Sequence, residues 1–184
     1  MHPQLEDYLR QIEAIKQDSQ NLVAGLSNKQ FNWHPAPGSW SIAECLDHLI
    51  VVGSLLLARI DEGIEQARTK QLFSEEPFSY GLLGKRFVSS QEPPVKKKVK
   101  TFKQYVPPPD RSLDKVVPEF MALQNEFEER IRAADGLNLS RIKISSPVSK
   151  LIRFNLAVWF AATAAHERRH LWQAQQVKES INVA

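Results

Sequence analysis

Cysteine occurs once in the 184 residues, at Cys45, so no disulfide can form within the chain. A lone thiol fits a reducing compartment. No apolar run approaches the roughly 20 residues that a membrane-spanning helix needs. The opening stretch MHPQLEDYLR also lacks the apolar centre of a signal peptide. A cytoplasmic location, with no membrane partner, is therefore expected. Surplus charge is missing too: 24 Lys and Arg against 21 Asp and Glu leave a formal net charge of +3. Acidic and basic residues mingle along the predicted helices, so no nucleic-acid partner is expected. There is no internal repeat and no low-complexity tract, and the length fits a single domain, residues 1–184, with a sizeable core.

What the chain does have is helical periodicity. Leu5, Tyr8, Ile12, Ile15, Ser19, Leu22 and Leu26 recur at helical spacing and predict an amphipathic helix over 4–26. The proline- and glycine-bearing stretch SNKQFNWHPAPGSWS cannot continue it, and its Trp33 and Trp40 are expected to fold back over one end of the bundle. Ser39 or Ser41 can cap a second helix, with Glu44 three residues beyond Ser41 completing a capping box, and its apolar face from Ile42 to Ile64 lasts to about Gln66. From Ala67 to Arg111 the periodicity fails, except for a short helix expected near 80–88. This crossover holds KKKVKTFK, where Lys96, Lys97, Lys98, Lys100 and Lys103 form either a solvated loop or an anion-attracting rim. A third helix starts at Ser112 and ends at Gly136, with Pro118 expected to distort its first turns. The link after it alternates Leu137, Leu139, Ile142 and Ile144 and reads as extended or irregular, and Asn155 caps the last helix. Four long helices, one long crossover between the second and third, and no convincing sheet predict an all-α four-helix bundle.

The last helix carries the chemistry. Trp159, Thr163, His166, His170, Gln173 and Val177 share one stripe, so two imidazoles stand where core residues belong. Positions four apart are offset by only about 40° around the axis and can converge on one point. Two neighbouring neutral imidazoles are hard to satisfy in an apolar layer, which sets a metal site beside the alternative of two hydrogen-bonded core histidines. His48, at the edge of the second helix, can look into the same core and is the candidate third ligand.

The run HERRH, His166 to His170, also matches the H-E-x-x-H motif in which two histidines bind zinc and the glutamate serves as general base of a peptidase. The 14 residues after His170 contain no histidine and offer no second domain for a substrate cleft, so a peptidase is not expected. Glu167 lies about 100° round the helix from His166 and is read as a solvent-facing partner for nearby arginines or as a catalytic group.

A resemblance covers nearly the whole chain. WHPAPGSWSIAECLDHL, HERRHLWQAQQV, the proline-rich crossover and the SSP segment before the last helix together resemble the DinB-like (damage-inducible, YfiT-like) superfamily of metal-binding four-helix bundles. The resemblance implies a divalent metal bound by His48, His166 and His170, the residues that the wheel also brings together. It further implies membership among thiol-dependent S-transferases and isomerases that use bacillithiol, mycothiol or glutathione, or among metal-dependent hydrolases.

Three neutral imidazoles would leave the ion its full charge and at least one open position. Imidazole ligation suits Zn, Ni, Fe or Co. Glu44 and Gln173 are candidates for orienting His48 or bound water, with a helix cap and a polar core residue as their alternatives. Cys45 is read as a small buried residue, with a fourth ligand or nucleophile as the alternative, and Trp159 and Trp172 as core or pocket wall. The leading expectation is thiol S-transfer on a small-molecule substrate through a metal-activated thiolate, with a low-molecular-weight thiol as cofactor. The alternatives are a metal-dependent hydrolase using bound water and a non-catalytic metal-binding or interaction protein; a homodimer through exposed bundle faces is a further expectation.

Overall fold

The computed structural model describes residues 1–95 and 101–181. Of the expected basic rim, Lys96, Lys97, Lys98 and Lys100 lie outside the described residues, and Lys103 is exposed.

Helix α1, Pro3–Val23, begins with proline at its first position, where the missing N–H costs nothing, and the His2 ring accepts a hydrogen bond from the Gln4 N–H. It stops short of the expected residue 26 because Gly25 turns the chain at φ 73°. One turn of helix follows, α2, Asn28–Phe31, held by a Ser27/Gln30 capping box and buried through Phe31. Helix α3 spans Ile42–Thr69 behind the predicted Ser41/Glu44 capping box, α4 spans Gly81–Gln91, and α5 spans Leu113–Ala133. Pro118 sits inside α5 without ending it. The first free N–H of that helix, Leu113, donates to Asn28 Oδ1 and not to Ser112. Helix α6, Leu156–Ile181, starts at Asn155, whose Oδ1 accepts from the Val158 N–H at 3.0 Å as expected of a cap.

Helix α3 packs against α5 and α6, and α1 packs against the same two, so the four long helices close a bundle. α4 lies on α6, close enough that a Cβ on Gly84 would come within 2.6 Å of Val158 Cγ2. The connection before α6 differs from the sheet-free expectation. Strands β1, Lys143–Ser145, and β2, Arg153–Asn155, form an antiparallel ribbon with Ile144 opposite Phe154. Of the apolar residues Leu137, Leu139, Ile142 and Ile144, all buried, only Ile144 lies in the ribbon, and its carbonyl also accepts from Trp159 Nε1 at 3.2 Å. Among the described residues no helix is long and apolar enough to cross a membrane.

Candidate metal centre

The capping box fixes where α3 begins, and His48 then projects from its second turn toward the stripe of α6 that bears His166 and His170. Ring centroids of His48 lie 5.5 Å from His166 and 4.8 Å from His170, and the α6 pair is 4.6 Å apart. One ligand atom from each of the three falls within 4.8 Å of the others. His48 and His170 are buried, whereas His166 keeps one edge open to a cavity of about 870 Å³ between the start of α3 and the second half of α6.

Hydrogen bonding sets the tautomers. His48 Nδ1 lies 3.1 Å from the carbonyl oxygen of Tyr105, which can only accept, so Nδ1 carries the proton and Nε2 is left with its lone pair free. His166 and His170 place their Nε2 atoms 3.2 Å apart, so one ring donates to the other. His170 Nδ1 is buried without a partner among the described residues. Burial holds all three imidazoles below their ordinary value: His48 is lowered, His170 is lowered further with help from His166, His48 and Arg169, and His166 falls to about 3 through burial, His48 and Arg169. Three neutral imidazoles, with the proton shared between His166 and His170 free to move to an outer ring nitrogen, are the donor set a divalent transition ion takes.

A family model described as the DinB superfamily matches residues 11–174. The chain belongs to the DinB superfamily. The uncharacterized protein YuaE of Bacillus subtilis (strain 168) is similar at 26% identity over 166 residues, covering 89% of this chain and 93% of YuaE. No solved structure matches the chain. For a DinB protein the residues present fit a metal: the three histidines can hold an ion, and the partnerless His170 Nδ1 is the atom that becomes an N–H when Nε2 turns to a cation.

The other residues singled out from the sequence divide. Gln173 lines the cavity next to His170, close enough to soften the lowering of its pKa, without a hydrogen bond of ordinary geometry to Nδ1. Glu44 is engaged elsewhere: one carboxylate oxygen, 2.8 Å from both, accepts from the Ser41 N–H and bonds His34 Nε2, so it acts as the helix cap. Cys45 is fully buried, lies outside the histidine cluster, and has its thiol pushed well up by burial and by the Glu44 charge. Trp172 walls the cavity, and Trp159 packs in the core.

Glu167 does not face solvent. It is 2% exposed, accepts from Gln124 Nε2 of α5 at 3.0 Å, and is raised by burial to about 8 against the opposing pull of Gln124 and Arg168. The face of α6 at that angle turns into the bundle, where Gln124 of α5 meets the carboxylate, and no arginine makes an ion pair with it among the described residues.

Of three further features of the site, one was expected in part, Trp40 folding back over one end of the bundle, and two had no place in the sequence reading. Trp40 folds onto the histidines, with its ring 4.9 Å from His48 and stacked 5.7 Å from His170. Only its position in a loop beside a candidate ligand helix hinted at this. The Tyr105 carbonyl carries no sequence signature at all, because any residue supplies one. Arg169 lines the cavity, and its spacing of three from His166 was the signal available for it.

Proposed function

We propose that this protein transfers a small thiol onto an electrophilic small molecule in the cavity beside His48, His166 and His170. The observation that carries the reading is the absence of any carboxylate from the described cavity lining. Glu44 is tied to Ser41 and His34, Glu167 faces Gln124 in the core, and Cys45 is buried. A mechanism that deprotonates water gains most from a positioned general base, since water starts near pKa 15.7, whereas a thiol starts near about 8.5 and needs far less help. A divalent cation held by the three imidazoles supplies the positive charge that brings a thiol's pKa into the neutral range.

The chain's own groups do the rest. The Tyr105 carbonyl holds the His48 Nδ1 proton, which keeps Nε2 turned to the site. Burial keeps the three rings neutral and able to donate lone pairs at ordinary pH. Trp40, Trp172, Val106 and Val177 give the cavity an apolar wall that takes the carbon skeleton of a substrate and displaces water from it. With no protein cysteine in reach, the nucleophilic sulfur comes from a low-molecular-weight thiol.

The test is to incubate metal-loaded protein with an epoxide or an alkyl halide, with and without bacillithiol, mycothiol or glutathione. Thiol-dependent conjugation that is lost in His48→Ala and kept in Cys45→Ser supports the transferase. Thiol-independent hydrolysis of an ester or amide at the same metal moves the assignment to a hydrolase, and inactivity in both assays moves it to a metal-binding protein.

A further inference from the structure

Five arginines are half-buried: Arg59, Arg111, Arg130, Arg168 and Arg169. Four have carboxylates within ion-pair distance. Arg59 meets Glu62, Arg111 meets Asp47 and Glu119, Arg130 meets Asp61, and Arg168 meets Glu92. Arg169 has no carboxylate partner among the described residues. One of its five N–H donors is used, from Nη1 to the Ser90 carbonyl at 3.2 Å near the end of α4. Its remaining donors have no partner among the described residues and can take a ligand, unlike those of the four arginines already paired with carboxylates.

The guanidinium also borders the cavity that the histidines open into, and it is near enough for its charge to act on His166 and His170. The described lining mixes apolar walls with neutral polar groups and contains no acid. A cavity of about 870 Å³ with that composition is the size and character of a small-molecule site with one fixed charge for orientation.

We propose that Arg169 is the anion-recognition residue of this cavity and binds the carboxylate of a small organic acid. The inference rests on reading the cavity as the substrate site and adds the class of ligand it takes. The planar fork of a guanidinium pairs with a carboxylate through two parallel hydrogen bonds, while the organic body lies against Trp40 and Trp172. The carboxylate belongs either to the thiol or to the molecule that receives it.

The experiment uses the full-length protein free of metal, so that it does not depend on turnover. Binding is followed by tryptophan fluorescence and by calorimetry with two matched pairs. The first pair, 4-phenylbutanoate and 4-phenylbutanol, has an apolar body and no sulfur. The second, 3-sulfanylpropanoate and 3-sulfanylpropanol, carries the thiol. In wild type at least one acid binds about tenfold more tightly than its alcohol, as one charge-assisted contact provides. The preference collapses in Arg169→Gln, and part of it is kept in Arg169→Lys, with melting curves showing that both variants fold. The pair that responds identifies which reactant carries the carboxylate. Equal affinity within both pairs in wild type, no binding of either acid at millimolar concentration, or a preference that survives in Arg169→Gln, would each overturn the proposal. A protein that shows the preference but no thiol-dependent conjugation loses the transferase reading and keeps this one.

Discussion

The Nδ1 atom of His48 lies 3.1 Å from the carbonyl oxygen of Tyr105, 57 residues along the chain. This backbone contact commits one nitrogen of the ring and aims the other at His166 and His170. Purified protein is therefore expected to hold about one divalent ion per chain. Changes to the groups that support a ligand cost about 10–100-fold in affinity, so replacing a ligand by alanine should exceed about a hundredfold. Elemental analysis of His48→Ala, His166→Ala and His170→Ala should show the ion lost. His34→Ala should retain it, because that ring bonds Glu44 and stands outside the cluster. Unchanged metal content after both His166 and His170 are replaced would refute the site.

Acid should weaken the metal-free protein through the same rings. Their folded-state pKa values are lowered, that of His166 from 6.5 to about 3, so below pH 6.5 the unfolded chain binds protons that the folded chain refuses. Stability from this source is complete above about pH 6.5 and is lost progressively below it, by up to about 1.4 kcal/mol per pH unit for each such histidine. Urea titrations between about pH 7 and about pH 5 should show the loss, and His166→Gln should flatten it. A slope identical in wild type and His166→Gln would contradict the burial argument.

Glu167 works in the opposite sense. Its pKa rises from 4.5 to about 8 on folding, so its contribution is fully present below about pH 4.5 and disappears as pH climbs through about 8. Glu167→Gln keeps the shape and removes the charge, and Gln124 Oε1, which has no partner among the described residues, can accept from the new amide. Metal-free Glu167→Gln should therefore be more stable than wild type near pH 9 by on the order of 2 kcal/mol, with little difference near about pH 5. The same burial predicts no metal-dependent cleavage of unstructured protein. Such cleavage, abolished by Glu167→Gln with metal retained, would show that the carboxylate reaches the site.

Asp47, the residue before His48, is 2% exposed and bonded to Arg111, which also holds Glu119. Arg111→Ala leaves a buried carboxylate unpaired and should destabilise the protein by about 3 kcal/mol. The double variant Asp47→Asn, Arg111→Ala should recover a substantial part of that loss. Chemical denaturation of the two single variants and the double measures the coupling, and strict additivity would mean that the pair is not energetically linked.

Much of this was legible in the sequence where one side chain answers to one rule. The apolar stripes located α1, α3, α5 and α6 to within a few residues, and Ser41, Glu44 and Asn155 cap as their types and positions suggest. The convergence of His48 with His166 and His170 followed from periodicity and the expected bundle. The ribbon before α6 did not, because strands of three residues are too short for alternation to separate them from irregular chain. Glu167 was misplaced because a wheel gives angles and not neighbours: which faces of α6 turn inward is decided by how the helices assemble. Arg169 stood out only once its neighbours were known, since a missing partner is a property of three dimensions.

The reach of the Tyr105 contact has a kinetic side. Helix α6 can present two imidazoles as soon as it coils, but the third arrives on a helix near the other end of the chain, and its orienting carbonyl arrives on the crossover between them. Closing loops of that length comes late in folding, because their entropy is lost before any contact repays it. An ion held by these three histidines would therefore have little to grip in a partly folded chain and would bind tightly only to the finished bundle. Under mass action it would then hold the native state alone, so damage anywhere in the bundle, however far from the histidines, should appear first as lost metal.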